Sequence, residues 1–171
     1  WPSSARALDY LGDRDAADAS RRVLAELRTD VAQHPQIGPI TVFAHSMGAR
    51  LTMESLSQLR LARADGVLER LEVILVAPDI DLDVFREQIQ LLGPLRTPLA
   101  VLVAPDDQAL QVSRRLSGNR PRLGALQVGD AQVSAAAEAA GVQVIDIGSV
   151  PATRLAPDRH AALASLQLDR D

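Results

Sequence analysis

Four short runs of strand formers, separated by stretches of helical period, constrain this chain more than any other feature. Ile40 to Ala44, Leu71 to Ala77, Pro98 to Ala104 and Val142 to Ile147 are largely apolar runs rather than strict polar–apolar alternations. A strand apolar on both faces needs cover on both, the pattern of a parallel sheet packed between helices. The intervening segments supply helices. Asp13 to about Gln33 sets Ala16, Ser20, Val23, Leu24, Leu27 and Val31 at helical spacing, and Pro35 with Gly38 stops it. Met47 to about Ala64 carries the stripe Leu51, Ser55, Leu59 and Ala62, and Asp81 to Leu92 carries Leu82, Phe85 and Ile89. Asp107 to Ser117, the Ala-rich Ala131 to Ala140 and a last segment from His160 through Leu166 complete the helical set. Ser117 to about Asp130, rich in Gly, Arg and Pro, reads as a surface loop. Strands and helices alternating at these lengths predict an α/β fold, a mostly parallel sheet flanked by helices on both faces.

Composition narrows the function classes. The 171 residues suit one domain with a real core, and with 27 Ala, 25 Leu and only 2% aromatics that core must be aliphatic. All 18 basic residues are arginines against 22 acids, and the net charge of −4 argues against a nucleic-acid partner. The absence of cysteine excludes disulfides, thiolate metal sites and a cysteine nucleophile. No apolar run approaches the roughly 18–20 residues of a membrane span. Zero Cys fits the cytoplasm by default, while an export signal would have to lie upstream of Trp1. The opening Trp1-Pro2-Ser3-Ser4, without an initiator Met, points to processing or to part of a longer polypeptide.

The sharpest chemical signal is Ala44-His45-Ser46-Met47-Gly48, at the junction of the first strand and the next helix. A serine there can occupy a tight strand-to-helix turn that lifts its hydroxyl above the sheet, with small residues two positions away on either side. Ala44 stands where the first Gly is usual. The helix N-terminus supplies free N–H groups, so the backbone N–H of Met47 is a candidate oxyanion donor. The plain alternative for Ser46 is a helix N-cap.

Three histidines compete as its base. His34 sits at a helix end before Pro35, and His45 is adjacent to Ser46, where neighbouring side chains diverge. His160, after the last strand in a loop with Pro151 and Pro157, can overhang the sheet edge and is the favoured base. The orienting acid should follow a strand at that edge, which leaves Asp79 after the second strand and Asp106-Asp107 after the third. Either position can also simply cap a helix. Asp79, Asp81 and Asp83 have the alternate spacing of a calcium loop, but Val84 and Gln90 stand where Gly and Glu are required, so no metal site is expected. Arg114, Arg115, Arg120 and Arg122 read as a solvated loop with helix-end charges, an anion-contacting rim being the alternative.

Taken together, several blocks resemble the α/β-hydrolase group known as DUF900. They are Trp1-Pro2-Ser3, Asp13-Arg14-Asp15, Ala44 to Gly48, Ala77-Pro78-Asp79-Ile80-Asp81, Asp107-Gln108-Ala109-Leu110, Ser113 to Ser117, Arg120 to Gly124 and Val144-Ile145-Asp146. The resemblance implies a Ser-Asp-His triad with Ser46 as nucleophile, His160 as base and Asp107, rather than Asp106, as acid. Asp79 is the alternative acid. It implies no cofactor, and a small-molecule ester or acyl substrate bound in an open site, because Pro78 to Pro98 has room for little more than one helix. Expected chemistry is carboxylic ester hydrolysis through an acyl-enzyme, with acyl transfer or a non-catalytic interaction domain as alternatives. In the resembled fold the Ile40–Ala44 strand lies mid-sheet and the second oxyanion donor precedes Trp1. Residues 1–171 are therefore expected to be the C-terminal portion of one hydrolase domain, whose N-terminal part pairs with the Ile40–Ala44 strand. Without the second donor, turnover should fall by about 10²–10³.

Overall fold

All four strand runs form strands: β1 (Ile40–His45), β2 (Leu71–Val76), β3 (Leu99–Val103) and β4 (Val142–Asp146). The structure is a computed structural model that describes residues 10–129 and 131–148. Trp1–Ser4, His160 and the helix expected through Leu166 lie outside the described residues. The strands pair in parallel in the order β1-β2-β3-β4, with Ile40 opposite Leu71, Ile74 opposite Ala100 and Leu99 opposite Val142. Parallel pairing brings every strand out at the same edge. The turns after β1, β2 and β3 and the exit from β4 thus lie side by side, about 5 Å apart per strand.

Seven helices surround this sheet among the described residues: α1 (Tyr10–Ala19), α2 (Arg21–Gln33), α3 (Met47–Leu61), α4 (Asp65–Leu68), α5 (Leu82–Leu92), α6 (Gln108–Leu116) and α7 (Ala131–Ala139). The two faces of the sheet differ. Ala44, Val73, Leu75, Val101 and Val103 join Met53, Leu56, Phe85 and Leu92 in one largely aliphatic core under α2, α3, α5 and α7. On the other face Val76 and Ala77 pack with Leu110 of α6, flanked by Ile74 and Leu102. That face leaves Phe43 41% and Ile145 45% exposed. Each aliphatic side chain taken fully out of water contributes about 1.5–3 kcal/mol, so the first face carries most of the stability. No helix among the described residues is long and apolar enough to cross a membrane.

The helices depart from the sequence expectation in three places. The single helix expected over 13–33 is two, broken at Ser20, whose Oγ donates to the Ala16 carbonyl at 2.9 Å. A hydroxyl bonded back one turn competes with the backbone ladder and bends a helix. Second, α2 does not bury its expected stripe, for Val23 and Leu27 are 62% and 55% exposed while Ala25, Arg28 and Ala32 are buried. The small alanines let α2 approach α3 closely. Between them lies the Arg28 guanidinium, which donates to Thr52 Oγ1 at 3.0 Å, to the Thr52 carbonyl at 3.3 Å and to Ser55 Oγ. Burial lowers the Arg28 pKa to about 10. Third, 117–130 is not simply a surface loop. Arg122, Leu123 and Gly124 are buried, and Leu123–Ala125 forms a single 3-10 turn against the end of β2.

Candidate active site

Ser46 sits between the last residue of β1 and the first of α3, with φ 52° and ψ −120°. A non-glycine residue there is strained by about 1–3 kcal/mol and persists only where its surroundings over-determine it. Ser46 N–H donates to the Val76 carbonyl at 2.9 Å, and its own carbonyl accepts from Ala49 N–H at 3.1 Å and Asp79 N–H at 3.2 Å. Ser46 stands at the N-cap position of α3, but its side chain makes no cap hydrogen bond there. Met47 opens α3. Its N–H is one of the first four of the helix, which have no carbonyl within it to donate to. The buried Ala44 takes the place of the usual glycine at the end of the strand.

The candidate acids occupy the next two turns along the edge. Asp79, one strand over, is 4% exposed and already committed. Its Oδ1 accepts from Ser113 Oγ at 2.5 Å and lies 3.4 Å from Arg122 Nε, and Ser113 Oγ also reaches the Tyr10 hydroxyl at 3.0 Å. Arg122, expected as a solvated loop charge, is instead 4% exposed and forms the other half of a buried ion pair. Asp107, two strands over, is the N-cap of α6, its Oδ1 accepting from Ala109 N–H at 2.8 Å and Leu110 N–H at 3.3 Å. It is buried at 7% exposure, and those bonds hold its carboxylate against the helix N-terminus. Asp106 precedes it, next to the exit of β4, where a Cβ on Gly148 would come within 3.2 Å of Asp106 Oδ1.

The three acids of the calcium-like spacing separate into three tasks. Asp79 pairs with Arg122, Asp81 caps α5 and Asp83 meets Arg86 at 3.0 Å on the surface. Burial pushes the Asp81 carboxyl up, but the N–H groups of Val84 and Asp83 together with Arg120 outweigh that and bring it below the ordinary carboxylate value. Of the histidines, His34 ends α2 and its Nδ1 accepts from Gln36 N–H at 3.4 Å. His45 closes β1 opposite Val76. His160 lies outside the described residues.

Sequence reasoning missed Ser113, Arg122 and Gly124 as parts of this edge. One signal was available, the apolar Leu123-Gly124-Ala125-Leu126 inside an otherwise polar stretch. The connection between β2 and β3 contains α5 as its only helix, so no large cap arises there. An apolar groove of about 670 Å³ lies elsewhere, between α5 and α7, lined by Leu82, Phe85, Ile89, Leu126, Val133 and Val144 among others. Ser46, Asp79 and Asp107 are not among its walls.

No curated relative and no solved structure matches the sequence. A strained serine between strand and helix, at the carboxyl edge of a parallel sheet, agrees in its architecture with what the family comparison finds over residues 1–169: the chain belongs to the family described as alpha/beta hydrolase of unknown function (DUF900).

Proposed function

We propose that the protein is a serine hydrolase acting on carboxylic esters, with Ser46 as nucleophile, His160 as general base and Asp107 as the acid that orients the imidazole. Family membership points to hydrolase-type chemistry, and one observation carries the finer reading. Ser46 is held at positive φ between β1 and α3, beside the first N–H of a helix, and such strain is retained where it serves a site. Asp107 supports it from the same edge. Its carboxylate is fixed by two backbone donors at the N-terminus of α6, whereas Asp79 is engaged by Ser113 and Arg122. His160 comes twelve residues after Gly148, which leaves the sheet beside Asp106.

In this reading His160 takes the Ser46 proton as Oγ attacks the ester carbonyl carbon, and the Met47 N–H faces the developing oxyanion. The protonated imidazole then gives its proton to the leaving alkoxide. Water, deprotonated by the same histidine, hydrolyses the acyl-enzyme. No step needs a metal or organic cofactor. We further read residues 1–171 as the C-terminal portion of a longer domain. What supports this is the ladder of β1, paired on one side only among the described residues although the strand ends in the core.

A fluorophosphonate probe tests the proposal in the full-length protein. Wild type should be labelled at Ser46 with loss of esterase activity, and Ser46→Ala should abolish both. Folded wild-type protein that stays unlabelled overturns the reading. Product analysis with a competing alcohol separates hydrolysis from acyl transfer.

A further inference from the structure

We infer that Arg122, Asp79 and Ser113 form a positioning device for the Ser46 turn, acting through the backbone and without touching substrate. For its effect on catalysis this rests on the serine-hydrolase reading. Two non-glycine residues at the edge have strained backbones, Ser46 at φ 52° and Ala77 at φ 40°. Strain of this kind must be held from outside. Of the three hydrogen bonds that fix the Ser46 backbone, two involve β2 and the turn after it, through the Val76 carbonyl and the Asp79 N–H.

That turn is in turn clamped by the segment 121–124. Gly124 N–H donates to the Pro78 carbonyl at 3.0 Å, Leu123 N–H to Ile80 at 2.9 Å, and Leu82 N–H to Pro121 at 3.1 Å. The two backbones touch so closely that a Cβ on Gly124 would meet Ala77 C at 2.7 Å and Pro78 N at 2.8 Å. Side chains lock the same place, since Asp79 accepts from Ser113 at 2.5 Å and faces Arg122 at 3.4 Å. Among the described residues Arg122 Nε and Nη2 are buried without a hydrogen-bond partner, so charge attraction rather than a fork of hydrogen bonds holds it to Asp79. A buried pair of this quality is a weak source of stability. What it does is fix where Asp79, and with it the Ser46 carbonyl, must lie.

The test compares Arg122→Met, Arg122→Lys and Ser113→Ala in the full-length protein, with Arg120→Met as control. Arg120 is 64% exposed in its side chain and pairs with Asp81 rather than Asp79. The first readout is amide hydrogen exchange. Arg122→Met should speed exchange at Ser46 and Asp79 by about tenfold, with Ile147, bonded to Val103, unchanged. The second is chemistry, where fluorophosphonate labelling and kcat should fall on the order of 10–100-fold at nearly constant KM. Arg122→Lys should recover part of both, and Ser113→Ala should show the same pattern more weakly. Arg120→Met should leave both near wild type.

Exchange at Ser46 and Asp79 that is unchanged in Arg122→Met, or raised equally across the sheet, overturns the inference. So does a kcat loss that Arg122→Lys does not relieve. Should Arg122→Met fail to fold, Ser113→Ala decides by the same two readouts. Folded wild-type protein that is never labelled overturns the hydrolase reading alone, and the exchange pattern then judges the positioning device by itself.

Discussion

The turn after β2 and the turn after β3 each place a buried aspartate at the carboxyl edge of one sheet, and they are held in opposite ways. Asp79 depends on partners far away in sequence, Ser113 on α6 and Arg122 beyond it, and through Ser113 on Tyr10 of α1. Asp107 depends on its own neighbours, Ala109 and Leu110, as the cap of the helix it starts. The first carboxylate is neutralised by a cation and serves as a strut. The second is oriented by the backbone N–H groups of the helix it caps. An acid that must steady an imidazolium needs the second arrangement. The same fold element therefore gives a structural residue at one turn and a candidate catalytic residue at the next.

The sharpest way to break this contrast is Asp107→Asn. Asparagine still caps a helix, so the denaturation midpoint should hardly move, while turnover should fall by about 10⁴ through loss of the correct imidazole tautomer. Equal loss of stability and activity would remove Asp107 from its assigned role. Asp79→Ala should lose mainly stability, with turnover falling on the order of 10–100-fold, the smaller loss expected when the Ser46 turn is no longer held in place. It leaves the Arg122 guanidinium buried and alone, which costs about 3–5 kcal/mol in chemical denaturation. A smaller loss is expected for Gly124→Ala, about 1–3 kcal/mol, because the new methyl meets backbone rather than a flexible side chain.

The smallest effect concerns pH. Asp81 sits below its ordinary value in the folded chain, so the unfolded chain binds more protons as the medium is acidified. Its stabilisation is complete above the ordinary carboxylate range and is lost as pH falls through the folded value. Stability of Asp81→Asn should accordingly decline less steeply with acid than wild type, by urea titration between about pH 5 and 2. Identical slopes would show that Asp81 is not differently protonated in the two states.

Much of the edge was legible in the residues themselves. Strand-forming runs bounded by Gly and Pro located β1 to β4 within a residue or two. Ser46 between small residues marked the strained turn, and the Asp79 and Asp107 positions followed from strand ends. What could not be read was the side chain that would face each acid. Arg122 stands 43 positions beyond Asp79 in a stretch rich in Arg and Gly, and nothing local distinguishes it from the exposed Arg120. Arg28 is the same lesson on α2. Helical period favours Val23 and Leu27 for burial, but close approach to α3 selected Ala25, Ala32 and an arginine able to reach Thr52 and Ser55.

By itself the sequence determined the order and type of the elements, and therefore a parallel sheet with its turns gathered at one edge. Hydrophobic period, Gly and Pro punctuation and helix caps are local, so they act at short range along the chain. Only the tertiary structure decided which carboxylate was paired with Arg122 and which turn was clamped. Those outcomes depend on burial and on charges brought together across tens of residues, where the interaction strengthens only after water has been excluded.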